Sequence, residues 1–150
     1  MSENRRQLRN AKKLVRLRLV QQSKATMEVA EANQRVHAQT EAVAAATSAI
    51  EDQDAEFREG SPRWSSISSF EAALEKRNNR TAYAEEQRKA LHRERADRDQ
   101  AVEALRGSDA RLSAAEQMVL THRKRLRHAL ERLEQSLTDD LSVLKKSEDS

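Results

Sequence analysis

One stretch interrupts a sequence that otherwise carries helix-forming residues almost from end to end. It reads Gly60-Ser61-Pro62-Arg63-Trp64-Ser65-Ser66-Ile67-Ser68-Ser69 and holds one of the two glycines and the only proline. Glycine just past a helix end, followed by proline, is a stop signal, because neither residue sustains the helical backbone. Ser68 with Glu71 three residues later has the spacing of a capping box that starts a new helix. The chain is therefore expected to be all-α, a long antiparallel two-helix coiled-coil hairpin. Helix 1 is expected over about 5–59, the turn over 60–68 and helix 2 over about 69–145, as one domain across 1–150. Such a fold leaves little room for an enclosed active site.

A globular core needs more large apolar side chains than this chain has. Aromatic residues are 3% of the sequence and charged residues 35%, and the mean hydropathy is −0.94. That composition fits a coiled coil or a disordered chain, and sustained heptad spacing favours the coiled coil. Cysteine is absent, which agrees with a reducing compartment. No apolar run approaches the ~20 residues that span a bilayer, and the basic amino end lacks a signal-peptide core. A cytoplasmic protein is expected.

Placing heptad position a at Leu8, Val15, Gln22, Val29, Val36, Val43, Ile50 and Phe57 collects most large apolar residues of the first segment. Position d then falls on Ala11, Arg18, Ala25, Ala32, Gln39, Ala46 and Gln53. In the second segment the large column is Phe70, Arg77, Ala84, Leu91, Arg98, Leu105, Leu112, Val119, Leu126 and Leu133, and the other includes Ala73, Ala101, Ala115, Ala129 and Val143. Folding at the break sets large residues against small ones, with paired residue numbers summing to about 130. Val29 then faces Ala101, Ala25 faces Leu105, Val15 faces Ala115 and Ala11 faces Val119. This is knobs-into-holes packing with closely spaced backbones. Gln22 and Ser108 form a polar layer beside Gly107, which could mark a local bend.

Two regions fit the pattern less well. Between Arg77 and Arg98 the second helix offers polar residues to the seam, so the apolar stripe is expected to drift toward Ala82, Ala84, Ala90 and Leu91. Beyond about His122 the leucines at 126, 130, 133, 137, 141 and 144 outrun the first helix. They are left to pair with residues 1–8, with a second copy or with another protein.

Charge is unevenly distributed. The first twenty residues carry Arg5, Arg6, Arg9, Lys12, Lys13, Arg16 and Arg18 against Glu3 alone. Antiparallel folding sets this cluster beside Arg111, Arg123, Lys124, Arg125, Arg127 and Arg132. Near the break, helix 1 is acidic, with Glu41, Glu51, Asp52, Asp54, Glu56 and Glu59. Solvated helix faces explain most charge runs in coiled coils, but this density suits an acidic partner. Nucleic acid is a weaker match, because the four aromatic residues available for base stacking lie far from the basic end. A basic-zipper reading conflicts with the alanine-rich d column, and contact of residues 8–20 with anionic lipid is a minor alternative.

The sequence offers no catalytic or metal motif. Gly60 and Gly107 stand alone, so there is no phosphate-cradling loop. His37, His92, His122 and His128 lack the helical spacings of zinc and di-iron sites. Carboxylates on a solvated two-helix surface have nothing to raise their pKa for acid–base work. Neither an enzyme nor a bound cofactor is expected.

The run Arg63-Trp64-Ser65-Ser66-Ile67-Ser68-Ser69-Phe70-Glu71-Ala72-Ala73-Leu74-Glu75-Lys76 resembles the turn and second-helix start of the FliJ/YscO (SctO) family. These are the central stalk proteins of flagellar and injectisome type III secretion. The shared features are Arg-Trp, a six-residue step to Phe, and Leu-Glu-Lys; chain length and a basic amino end also agree. The resemblance implies a protein similar to the antiparallel coiled coil of rotary-ATPase gamma subunits. Its terminal end would enter a hexameric export ATPase, with Arg5, Arg6, Arg9, Lys12, Lys13, Arg16, Arg123, Arg125 and Arg127 as the ATPase-binding residues. The face near the break would meet the cytoplasmic domain of the export gate through Phe70, Leu74, Arg77 and Thr81, although the last two are more polar than such a face usually is. Trp64 and Phe70 could equally clasp the turn. Secretion chaperones are further implied partners, and the implied location is the cytoplasmic side of the inner membrane. An injectisome is favoured over a flagellar system, since helix 1 departs widely from the flagellar pattern.

Overall fold

The computed structural model describes residues 2–59 and 66–149. They form two α-helices, α1 (Ser2–Glu59) and α2 (Ile67–Glu148), with no strand among them. The helices pack against each other as the hairpin expected from the break. Gly60, Pro62 and Trp64, on which the expected stop signal and clasp rest, lie outside the described residues. Contacts divide the chain into two compact units, Met1–Ala25 with Leu105–Ser150 and Thr26–Ala104.

The start of α2 differs from expectation. The Ser69 backbone N–H donates to Ser66 Oγ at 3.2 Å, and the two serine hydroxyls lie 3.0 Å apart. Ser66, not Ser68, therefore caps the helix, satisfying a first-turn amide that has no partner within the helix.

In the unit Thr26–Ala104 the heptad columns hold except at Phe70, which is exposed at the start of α2. Ala32, Ala46 and Gln53 of α1 are buried, while Val29, Val36, Val43, Ile50 and Phe57 beside them are half-buried. Ala84 and Leu91 are buried on α2. The expected drift between Arg77 and Arg98 does not displace the polar positions, although Ala90 is half-buried beside the buried Ala84 and Leu91. Arg77, Arg80, Gln87, Glu94 and Arg98 keep their seam positions and are half-buried, whereas Ala82 is exposed. Polar groups stay there because α1 supplies partners. Gln39 Nε2 donates to Gln87 Oε1 at 2.7 Å and to its carbonyl at 3.1 Å. Arg35 pairs with Glu94 at 3.2 Å, and Arg80 donates to Gln53 Oε1 at 3.2 Å. Gln53 Nε2 donates in turn to the Ala73 carbonyl at 3.2 Å. The partner numbers in these bonds sum to between 126 and 133, which is the antiparallel register read from the heptads.

The unit Met1–Ala25 with Leu105–Ser150 has a more apolar seam. Ala11, Ala25, Leu112, Ala115 and Val119 are buried, with Leu8, Leu14, Val15 and Leu105 half-buried around them. Gln22 Nε2 donates to Asp109 Oδ1 at 2.6 Å, and Ser108 beside it is buried. α2 runs through Gly107 as one helix, and a Cβ there would meet nothing within 4 Å. The seam extends further than His122. Leu126 and Ala129 are half-buried, as are Asn4 and Leu8, so residues 4–8 are the partners of this stretch. From Leu130 to Asp149 every residue is exposed.

Alanine lines the tightest places in both units, with Ala32 and Ala84 at 0% and Ala115 at 1% exposure. A methyl lets the backbones approach, and the larger neighbours then wrap the contact from the side. No large side chain is fully buried among the described residues, as expected when each helix has one neighbour to cover it.

Candidate functional site

The described residues form surfaces rather than an enclosed centre, and each unit carries one. In the unit Met1–Ala25 with Leu105–Ser150, all nine basic residues singled out from the sequence are exposed: Arg5, Arg6, Arg9, Lys12, Lys13 and Arg16 on α1, and Arg123, Arg125 and Arg127 on α2. The fold brings several together across the seam. Lys12, Arg16 and Arg123, with the acid Glu116, line an open groove together with Val15, Val119 and Leu120. Arg125 shares a second groove with Asn4, His128, Arg132 and the acid Glu131, which lies 3.3 Å from His128 Nδ1. Arg6 is held by Glu3 at 2.7 Å within one turn of α1. Like charges concentrate here because both helices present basic outer faces where the seam columns are apolar. Their field reaches about 8 Å at physiological salt before screening takes over. Such a surface attracts an acidic partner, and the apolar part of the first groove adds a place for an aliphatic side chain.

Exposed apolar residues also lie on this unit, including Leu17, Leu19, Val20, Met118 and Leu120. Sequence reasoning did not single these out. They stand outside the a and d columns, and only the assembled seam shows which faces remain uncovered.

In the unit Thr26–Ala104, the four residues assigned to the second surface divide into pairs. Phe70 and Leu74 are exposed, and with the exposed Ile67 they make an apolar patch at helical spacing. The Phe70 ring meets Phe57 of α1 edge to face, with centroids 6.2 Å apart and planes at 86°. Aromatic pairs prefer that geometry because the positive edge of one ring meets the negative face of the other. Arg77 is engaged in an ion pair instead, its Nε 2.6 Å from Asp54 Oδ1 and its Nη2 3.4 Å from Oδ2. This paired geometry holds the Asp54 carboxyl below its ordinary value of 3.8 and raises the Arg77 guanidinium. The Thr81 hydroxyl donates to the Arg77 carbonyl at 2.9 Å within α2. The fold thus leaves Phe70 and Leu74 presented and ties down the two polar residues. Phe57 and Asp54 were not assigned as site residues, yet the antiparallel register places both opposite the right partners.

Among the described residues no group of three or more His, Cys, Asp or Glu side chains is placed to hold a metal ion, and no helix is long and apolar enough to cross a membrane. Compared with family models, curated proteins and solved structures, the chain matches none.

Proposed function

We propose that this chain is a non-enzymatic central stalk of a type III secretion apparatus, binding a hexameric export ATPase at one surface and the export gate at the other. The observation that carries the reading is the division of surfaces between the units. One unit gathers exposed cations from both helices around a partly apolar groove. The other presents Phe70 and Leu74 at the start of α2, within the segment that resembles the FliJ/YscO turn. The first surface suits an acidic protein ring and the second an apolar contact. The chain promotes ATPase assembly and turnover by binding, and any chemistry belongs to the partner. In this reading it works in the cytoplasm at the inner membrane, within an injectisome, and secretion chaperones are additional partners.

The test uses the purified full-length chain with the cognate export ATPase and the gate's cytoplasmic domain. Wild type should raise hexamerisation and ATP turnover. The triple change Arg5→Glu, Arg6→Glu, Arg9→Glu should weaken ATPase binding and flatten its salt dependence. Leu74→Asp should abolish gate binding while leaving ATPase stimulation intact. Neither binding nor any change in turnover with wild-type protein would sink the proposal.

A further inference from the structure

The last part of α2 stands exposed on all sides, yet it carries a leucine stripe. Leu130, Leu133, Leu137, Leu141 and Leu144 are 37 to 66% exposed. A solvated helix end has no use for five leucines on one face, and contiguous exposed apolar surface marks a contact. The described part of α1 does not supply it, since the register that pairs Gln22 with Asp109 carries α1 only to the level of about His128. The stripe has a property that names its partner. Its steps are 3, 4, 4 and 3 residues, so the pattern is symmetric about Leu137.

We infer that the leucine stripe of α2 pairs with the same stripe of a second copy of this chain, antiparallel, about a two-fold axis at Leu137. Every leucine then meets a leucine at its own level. Leu137 faces itself across the axis, Leu133 faces Leu141 of the second copy, and Leu130 faces Leu144. A two-fold contact of this kind is self-complementary, and in the antiparallel arrangement each flank of the stripe faces the same flank of the other copy. One flank carries Arg127, Glu131, Glu134, Lys145 and Glu148. The pairing sets Glu131 within two residues of the level of Lys145 and Arg127 within one residue of the level of Glu148, and the axis repeats both.

Charge also chooses antiparallel over parallel. The stretch 130–149 holds the acids Glu131, Glu134, Asp139, Asp140, Glu148 and Asp149 against the bases Arg132, Lys145 and Lys146. Antiparallel pairing brings Glu148 and Asp149 at the end of each copy toward the basic Arg125–Arg127 region of the other, with Lys145 and Lys146 one turn nearer the axis. Parallel pairing would set Arg5, Arg6, Arg9, Arg123 and Arg125 alongside their own counterparts. The leucine layers span roughly 20 Å at ~1.5 Å per residue. That places the contact at the small end of specific interfaces, below about 1,200 Å² in total. The dimer is therefore reversible and concentration-dependent.

Sedimentation of the full chain over a concentration series tests this, together with cysteine cross-linking, for which the cysteine-free sequence is ready. Wild type should pass from monomer to dimer as concentration rises. Leu137→Glu should stay monomeric with an unchanged helical spectrum. Glu131→Lys should weaken the dimer several-fold, and adding Lys145→Glu should restore it. Leu137→Cys should cross-link to itself readily. Leu130→Cys should do so poorly alone but well when mixed with Leu144→Cys. A wild-type monomer at every concentration overturns the inference and leaves the stripe to a different protein. Self-cross-linking of Leu130→Cys as efficient as that of Leu137→Cys overturns the antiparallel arrangement.

Discussion

The two units fill the same heptad positions with different chemistry. In Thr26–Ala104 the seam beside Ala32, Ala46 and Ala84 is joined by Arg77, Arg80, Gln87 and Glu94, each bonded to α1. In Met1–Ala25 with Leu105–Ser150 the seam is mostly aliphatic. There, His122 Nδ1 is the one buried side-chain nitrogen or oxygen without a hydrogen-bond partner among the described residues. The difference separates affinity from register. Aliphatic layers supply burial at ~25 cal/mol per Å² but tolerate sliding by a heptad, because one alanine or leucine layer resembles the next. Hydrogen-bonded layers contribute little net stability, about 1 kcal/mol each, but a shifted register would strand them. The polar unit therefore specifies which residues face each other, as buried polar layers do in other coiled coils.

The comparison breaks most sharply at a leucine in each unit. Leu112→Ala removes a buried side chain with aliphatic neighbours and should cost about 3 kcal/mol. Leu91→Ala should cost nearer 2 kcal/mol, because flexible polar neighbours and water can take up the space. Thermal melts followed by circular dichroism give both values. Hydrogen exchange should place the loosened amides in the unit that carries the change, and equal loosening in both would erase the distinction.

A smaller effect tests register. Gln39→Ala and Gln87→Ala should each destabilise modestly, and the double-mutant cycle should show a coupling of about 1 kcal/mol. A coupling near zero would mean that these bonds only fill space.

The smallest effect is the pH response of the Asp54–Arg77 pair. Asp54 releases its proton more easily folded than unfolded, so the pair favours folding above the ordinary value of 3.8. The contribution fades as pH falls from there through the lowered folded value. Both side chains are more than one-third exposed, at 38% for Arg77 and 34% for Asp54, so solvent screens the pair and the effect is modest. Asp54→Asn should remove this acid dependence from amide exchange around residues 54 and 77 while leaving the amides near Gln22 and Asp109 unchanged. An identical acid profile in wild type and variant would show that the pair contributes nothing.

Much of the seam was legible because a helix repeats its faces at a fixed angle. Leu8 to Phe57 and Ala11 to Gln53 turn inward as the heptad frame requires. The apparent failure between Arg77 and Arg98 came from judging α2 alone, where polar residues look unfit for a seam. Arg35, Gln39, Gln53 and Asp54 make them fit, and that information lies on the other helix. The basic surface was legible residue by residue, but not the grooves that join Lys12 and Arg16 to Arg123.

The sequence by itself determined the two helices, the break between them, the inward columns and the antiparallel register, since each follows from local geometry and the period of an α-helix. Tertiary structure alone decided that Ser66 rather than Ser68 caps α2, that the polar seam positions stay inward, and that α2 loses its neighbour at Leu130 rather than near His122. The reason is that a helix's own periodicity fixes which face turns inward. What meets that face, and how far the neighbour extends, depends on residues dozens of positions away.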